Sequence, residues 1–114
     1  MGMIEEMPEK LIDAVIGIRG SAPAYVFMFI EALADAGVLY GMPREQAIRI
    51  AEQAVMGSAK LALESGKHPA ALRGDVCTPG GTTIEAVRSL EKNAFRGVVM
   101  DAVAACVEKA RSMK

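Results

Sequence analysis

Apolar residues recur every three or four positions along most of the chain, which is the pattern of amphipathic helices. Glycine and proline interrupt this pattern at intervals and mark where helices end. The pattern predicts helices over residues 8–20, 22–40, 43–65, 68–73, 83–92 and 94–111. No alternating β pattern reaches a useful length. We therefore predict an all-α fold of about six helices, forming one domain over residues 1–114.

The first half of the second predicted helix contains six residues, 25–30, that are apolar around its whole circumference. A helix without a polar face is buried on every side. One small domain has difficulty surrounding such a helix alone, so we expect a second copy of the chain to pack on it. In the third helix, Ala54 and Gly57 suggest a close crossing with another helix.

Composition and charge narrow the possible partners. Hydrophobic residues make up 52% of the 114 residues, and the formal net charge is −1, which favours neither nucleic acid nor an acidic membrane. The N-terminal residues 1–6 are acidic, unlike a signal peptide. The longest apolar run, residues 22–30, is too short to cross a bilayer. Two cysteines without CxxC spacing indicate a reducing compartment. We therefore predict a cytoplasmic protein without nucleic-acid or membrane partners.

Most familiar catalytic patterns are absent from the sequence. It has neither a GxGxxG turn for a dinucleotide nor a phosphate-binding loop. The single histidine, His68, cannot build a metal site with two distant cysteines, so we predict no metal. Cys77 has no evident base partner that would make it a nucleophile. Glu31 and Asp35, one helical turn apart, are typical of the solvent-exposed face of a helix.

One stretch stands apart, the loop of residues 78–81 that leads into the helix at Thr82 and Thr83. Pro79 and the two glycines after it exclude regular structure. A threonine hydroxyl can cap the first turn of the helix. A glycine-approached helix start also offers unpaired N–H groups and positive dipole charge to an anion such as a carboxylate. A plain interhelical turn is the commoner explanation of such a sequence, and spacing alone does not exclude it.

Several separate motifs resemble pyrroline-5-carboxylate reductase. Residues 20–27, GSAPAYVF, resemble that family's Gly-Ser-Gly-Pro-Ala-Tyr helix, with Ala22 replacing the usual second glycine. The resemblance continues in order through His68-Pro69, the TPGGTT of residues 78–83, Phe95-Arg96 and Asp101-Ala102-Val103. It covers nearly the whole chain and corresponds to the family's helical C-terminal domain.

The resemblance implies a function for the loop. The family reduces 1-pyrroline-5-carboxylate to L-proline with NADPH or NADH. Thr78, Pro79, Gly80, Gly81, Thr82 and Thr83 match the loop that binds the substrate carboxylate through backbone amides. The Thr83 hydroxyl matches the catalytic group that contacts the ring nitrogen.

The resemblance also implies partners. The helical domains of this family interlock into a homodimer, and five dimers can form a decamer. The NADP or NAD site belongs to a separate Rossmann domain, so we expect this chain to bind no cofactor, to be a part of a longer enzyme and to be inactive alone. The alternative is a helical homodimeric interaction protein that has lost catalysis. A third, weaker alternative is an unrelated helical protein that binds a small acid.

Overall fold

The computed structural model describes residues 8–114, and all regular structure in that range is helical. A 3-10 turn, Glu9–Leu11, leads into α1, Ile12–Val15, and a π-helical turn, Ile16–Gly20, follows. The longer helices are α2, Ala22–Leu39, α3, Arg44–Ser65, α4, Pro69–Val76, α5, Thr82–Lys92, and α6, Phe95–Ser112. The predicted all-α class is confirmed. The acidic residues 1–6 lie outside the described range.

Helix boundaries follow the glycine and proline positions closely, with one clear exception. Gly66 ends α3 with a left-handed φ of 68°, the conformation that favours glycine at a helix C-terminus. Gly74 was expected to end α4 after Arg73, but the helix continues through it to Val76. A glycine inside a helix costs only about 1 kcal/mol relative to alanine, so it does not have to end one.

Contacts divide the chain into two units. Among the described residues, the first comprises residues 8–25 and 94–114, and so joins the N-terminal helical segment to α6. Gly17 is buried there, and a methyl group on it would lie 3.0 Å from Val103 Cγ1 and 3.2 Å from Val107 Cγ2. Buried Asp13 accepts a hydrogen bond from Lys114 Nζ at 2.9 Å. This unit is therefore held by a close helix crossing and a partly buried ion pair.

The second unit, Val26–Asn93, contains most of α2 together with α3, α4 and α5. In this unit, α2 approaches the start of α3 closely at Gly37, where an added methyl would be 3.1 Å from the side chains of both Ala47 and Met42. Nothing lies within 4 Å of the corresponding position on Gly57. Within the described chain, no close crossing occurs at Gly57, and α2 meets α3 nearer the start of α3.

The described residues bury almost no large apolar side chains. Their buried hydrophobic residues are Ala34, Ala47 and Ala51, while Phe27 and Met28 on α2 remain 63% and 67% exposed. An apolar hollow of about 180 Å³, lined by residues that include Leu33, Met42 and Ile50, opens between α2 and α3. The sequence indicated that α2 needs cover on all sides, and the chain by itself leaves that surface uncovered.

One helical stretch, Glu9–Leu39, is 31 residues long and could cross a membrane by length and composition. The uninterrupted apolar run covers only residues 22–30, and helical structure extends well beyond it. Length and composition are weak evidence for a membrane span, because the core helix of a soluble protein meets the same criterion.

Candidate functional site

A β-turn forms the loop between α4 and α5. Cys77 follows α4, and its N–H donates to the carbonyls of Arg73 and Gly74 at 3.2 and 3.1 Å. Thr78 then begins a turn that closes when the Gly81 N–H donates to the Thr78 carbonyl at 3.0 Å. Pro79 occupies the second position of this turn, and Gly80 occupies the third with φ of 70°. Proline followed by a residue of positive φ is the signature of a type II turn.

This turn leads directly into α5, and no side chain caps the start of that helix. Gly81 is the N-cap residue, with φ of −83° and ψ of 178°, and no side chain accepts a hydrogen bond from the first turn. The first N–H groups of a helix have no partner within the helix itself. They carry the positive end of the helix dipole and suit an anion. The start of α5 therefore has the chemistry of a carboxylate site.

Two details differ from the expectations drawn from sequence. Thr82 and Thr83 lie within the first turn of α5, so the expected threonine cap is wrong. The Gly81 N–H is already used by the turn, so this amide is not free for a ligand. The amides of Thr82 and Thr83 remain the donors without a side-chain cap.

Exposure leaves the loop open to a ligand. Thr78, Pro79, Gly80 and Thr82 are exposed, whereas Gly81 and Thr83 are half-buried. The helix start is therefore accessible at Thr82 and partly covered at Thr83.

A charged pair lies beside this helix start. Glu85 in the first turn accepts hydrogen bonds from Arg88 Nε at 2.8 Å and from Arg88 Nη2 at 2.7 Å. Without that partner, the carboxylate of Glu85 would repel an incoming anion. The guanidinium of Arg88 offsets this negative charge.

Other residues singled out in the sequence have structural roles. His68 is the N-cap of α4, and its Nδ1 accepts a hydrogen bond from the Ala70 N–H at 3.0 Å. Asp35 pairs with Arg44 at 2.6 Å. Cys77 is a free thiol. Among residues 8–114 no group of three potential metal ligands occurs.

Sequence reasoning missed a polar cluster in the first unit. Ser21 Oγ lies 3.1 Å from Cys106 Sγ in a hydrogen bond. The buried Tyr25 hydroxyl has no hydrogen-bond partner. Burial, followed by the neighbouring Cys106, raises the pKa of Tyr25. Three polar side chains separated by up to 85 positions leave no local signal in a sequence.

Comparison with known proteins identifies the family. The family described as pyrroline-5-carboxylate reductase dimerisation matches residues 9–113. A pyrroline-5-carboxylate reductase of Escherichia coli strain K12 is 59% identical over 112 residues, which cover 98% of this chain and 42% of that protein. The Arabidopsis thaliana reductase is 50% identical over 113 residues, covering 99% of this chain and 41% of that protein.

Solved structures agree in fold. A crystal structure of Plasmodium falciparum pyrroline carboxylate reductase with NADP bound has a TM-score of 0.92 and 41% identity, over 98% of this chain and 45% of that one. A reductase from Streptococcus pyogenes has a TM-score of 0.93 and 38% identity, over 97% of this chain and 43% of that one. This chain thus spans about two-fifths of the length of the relatives it matches. Sequence and structure together establish that the chain belongs to the pyrroline-5-carboxylate reductase dimerisation family.

Proposed function

We propose that this chain is the dimerisation and substrate-loop part of an enzyme that reduces 1-pyrroline-5-carboxylate to L-proline. The observation that carries the proposal is the uncapped start of α5, presented by the loop that the resemblance assigns to the substrate. Family membership favours a substrate loop over a plain interhelical turn that binds nothing.

The substrate carboxylate binds at the first turn of α5. The Thr82 and Thr83 N–H groups donate to its two oxygens, and the helix dipole favours the negative charge. Thr78, Pro79, Gly80 and Gly81 form the turn that leaves this end open. A hydrogen bond to a charged group contributes about 1.5–3 kcal/mol, so two such donors give useful affinity for a small acid.

The Thr83 hydroxyl acts at the ring nitrogen. Reduction of the C=N bond adds a hydride to carbon and leaves one proton to be supplied to nitrogen when the imine is neutral. A hydroxyl beside that nitrogen orients the ring and assists delivery of the proton. The side chain of Thr83 follows the carboxylate-binding amides directly, so one end of α5 holds both parts of the substrate.

The residues present do not fit a nicotinamide cofactor. The described residues, 8–114, have neither a β-strand nor a glycine-rich strand-to-helix turn, which dinucleotide-binding domains use. We propose that this chain binds no cofactor and that NADP or NAD is held by another part of the enzyme. The relative from Plasmodium falciparum, with NADP bound, supports a nicotinamide cofactor for the complete reaction.

We also propose that the chain works as a cytoplasmic homodimer. The exposed faces of α2, including Phe27 and Met28, supply the apolar surface that a second copy would cover. A decamer of five dimers is the larger assembly that the resemblance implies. Two free thiols fit a reducing compartment.

Fusion to the remaining part of the Escherichia coli reductase tests the proposed function. We expect the fusion protein to form L-proline from 1-pyrroline-5-carboxylate with NADPH or NADH, and the chain alone to form none. A correctly folded, dimeric fusion without activity would contradict the proposal. It would favour an interaction protein that has lost catalysis.

A further inference from the structure

Helix α4, which leads into the candidate site, is short and exposed. It has eight residues, Pro69–Val76, and a helix of this length is marginal in water without support from the rest of the protein. Every residue of α4 is exposed except Leu72, which is half-buried. Its last turn continues into the candidate loop, because the Cys77 N–H donates to the carbonyls of Arg73 and Gly74. The order of the loop therefore depends on the order of α4.

The N-cap of α4 is a histidine, and the cap requires that histidine to be neutral. His68 Nδ1 accepts a hydrogen bond from the Ala70 N–H at 3.0 Å, which within residues 8–114 is the one hydrogen bond of the His68 side chain. A neutral imidazole has one nitrogen that can accept, whereas both nitrogens of the protonated ring are donors. Protonation of His68 would therefore turn the acceptor into an N–H that faces the Ala70 N–H. It would also place a positive charge at the positive end of the helix dipole.

The charged groups around this cap ordinarily keep their charge where histidine titrates. His68 is the single histidine of the chain, and histidine ordinarily takes up a proton between about pH 5 and 8. The nearest charged residues along the chain are Glu64 at the end of α3, Lys67 and Arg73. Lys67 pairs with Asp75 at 3.5 Å. Carboxylates, lysine and arginine ordinarily do not titrate near neutral pH, so His68 is the group of this segment that responds to mild acid.

We propose that His68 makes α4 an acid-sensitive support of the candidate loop. Where histidine is neutral, the cap is present and α4 holds the loop in place. The unfolded segment takes up a proton without losing a hydrogen bond, so the cap is lost and α4 loosens as the pH falls through the range in which histidine titrates. A loosened loop must be ordered when a ligand binds, so binding weakens. This last step rests on the proposed function, whereas the loosening of α4 does not.

Hydrogen exchange tests the loosening of α4 without a ligand. The amides of Ala71 and Leu72 donate to the His68 carbonyl at 2.9 and 3.2 Å, so together with the Ala70 amide they report on the first turn. Their protection factors in the 114-residue chain, corrected for the intrinsic exchange rate at each pH, should fall about fivefold between about pH 7.5 and 5.5. This fall corresponds to about 1 kcal/mol, the contribution of one N-cap.

His68→Asn is the matched control for hydrogen exchange. Asparagine is a good N-cap residue whose side chain takes up no proton, so the protection factors of this variant should not change over the same pH range. Constant protection in the parent would overturn the proposal. An equal fall in the parent and in His68→Asn would overturn it as well, because another group would then be responsible.

Binding of L-proline to the fused reductase tests the link from α4 to the loop. The carboxylate of L-proline stays ionised above about pH 5, and comparison with His68→Asn separates His68 from groups in the rest of the fusion. Between about pH 7.5 and 5.5, the dissociation constant should rise about three- to fivefold in the parent and less than about 1.5-fold in His68→Asn. An equal rise in both, or a constant value in the parent, would overturn the link. If the parent binds no L-proline at either pH, the proposed function fails, and hydrogen exchange still decides whether His68 controls α4.

Discussion

Helices α2 and α5 expose opposite kinds of surface. On α2, Phe27 and Met28 leave 63% and 67% of their area exposed, and water does not solvate such surface favourably. At the start of α5, the groups of interest are backbone N–H donors without a side-chain cap, which water can satisfy and an anion can bind. Under the proposed function, α2 would make the lasting contact with a second copy of the chain, whereas the start of α5 would make the reversible contact with a small ligand.

The largest expected effect is on α2. Phe27→Asp should prevent assembly, because it places an unpaired charge in a surface that must lose its water. A cost of about 3 kcal/mol or more raises the dimer dissociation constant at least a hundredfold. Light scattering and sedimentation equilibrium measure the change. Phe27→Leu should remain dimeric, and a parent chain that is monomeric at micromolar concentration would contradict the assignment of α2 as an interface.

A change at the start of α5 should lower catalytic activity and leave folding and assembly unchanged. Thr83→Val keeps the branched shape but removes the hydroxyl, so kcat/KM of the fused reductase should fall about ten- to hundredfold. The melting temperature and the dimer should stay unchanged. Ser89→Ala, which removes a hydroxyl from the same helix away from its start, is the control. Equal activities of the two variants would exclude a role for the Thr83 hydroxyl.

A variant at the N-cap of α4 separates an effect on the stability of the fold from an effect on assembly. His68→Ala removes the acceptor of the Ala70 N–H and should lower the free energy of unfolding by about 1 kcal/mol. Chemical denaturation measures this loss at fixed protein concentration. His68→Asn should retain most of the stability, because asparagine is a good N-cap residue. The dimer dissociation constant measured under native conditions should be similar for both variants.

The smallest expected effect concerns charge near the ligand. Arg88→Gln removes the partner of Glu85, so the carboxylate in the first turn of α5 should repel the substrate and weaken L-proline binding by about two- to threefold. Both side chains are largely exposed, and such pairs contribute only about 0.2–1 kcal/mol. High salt should remove the difference. The double variant Glu85→Gln/Arg88→Gln should bind like the parent, and a persisting loss would point to a direct contact of Arg88 with the ligand.

Much of the fold could be predicted because its signals are local. The three-to-four-residue apolar spacing and the Gly41-Met42-Pro43 break placed α2 and α3 within one residue of their observed limits. The close approach of α2 and α3 at Gly37 could not be predicted, because which glycine meets another helix depends on how far two helices slide along each other. The Ser21–Cys106 contact was missed for a similar reason, since it joins distant parts of the chain.

The candidate site, like the fold, could be predicted from the sequence only in part. Pro79 and Gly80 specify the turn by their own backbone preferences, so a loop before a helix start was expected. The hydrogen bond that occupies the Gly81 amide and the fit of the Thr78 hydroxyl over Gly81 depend on distances across the turn. No single residue type encodes those distances.

Sequence alone therefore determined the helical class, the limits of the main helices, the surplus of apolar surface and the position of the special loop. These properties follow from backbone preferences and periodicity, which act over a few residues. The tertiary structure decided which glycine permits each close approach, which amides of the loop stay without a partner and how little of α2 the chain covers by itself. Those properties depend on the packing of atoms from separate segments, and packing at contact distance is sensitive to shifts of less than an ångström.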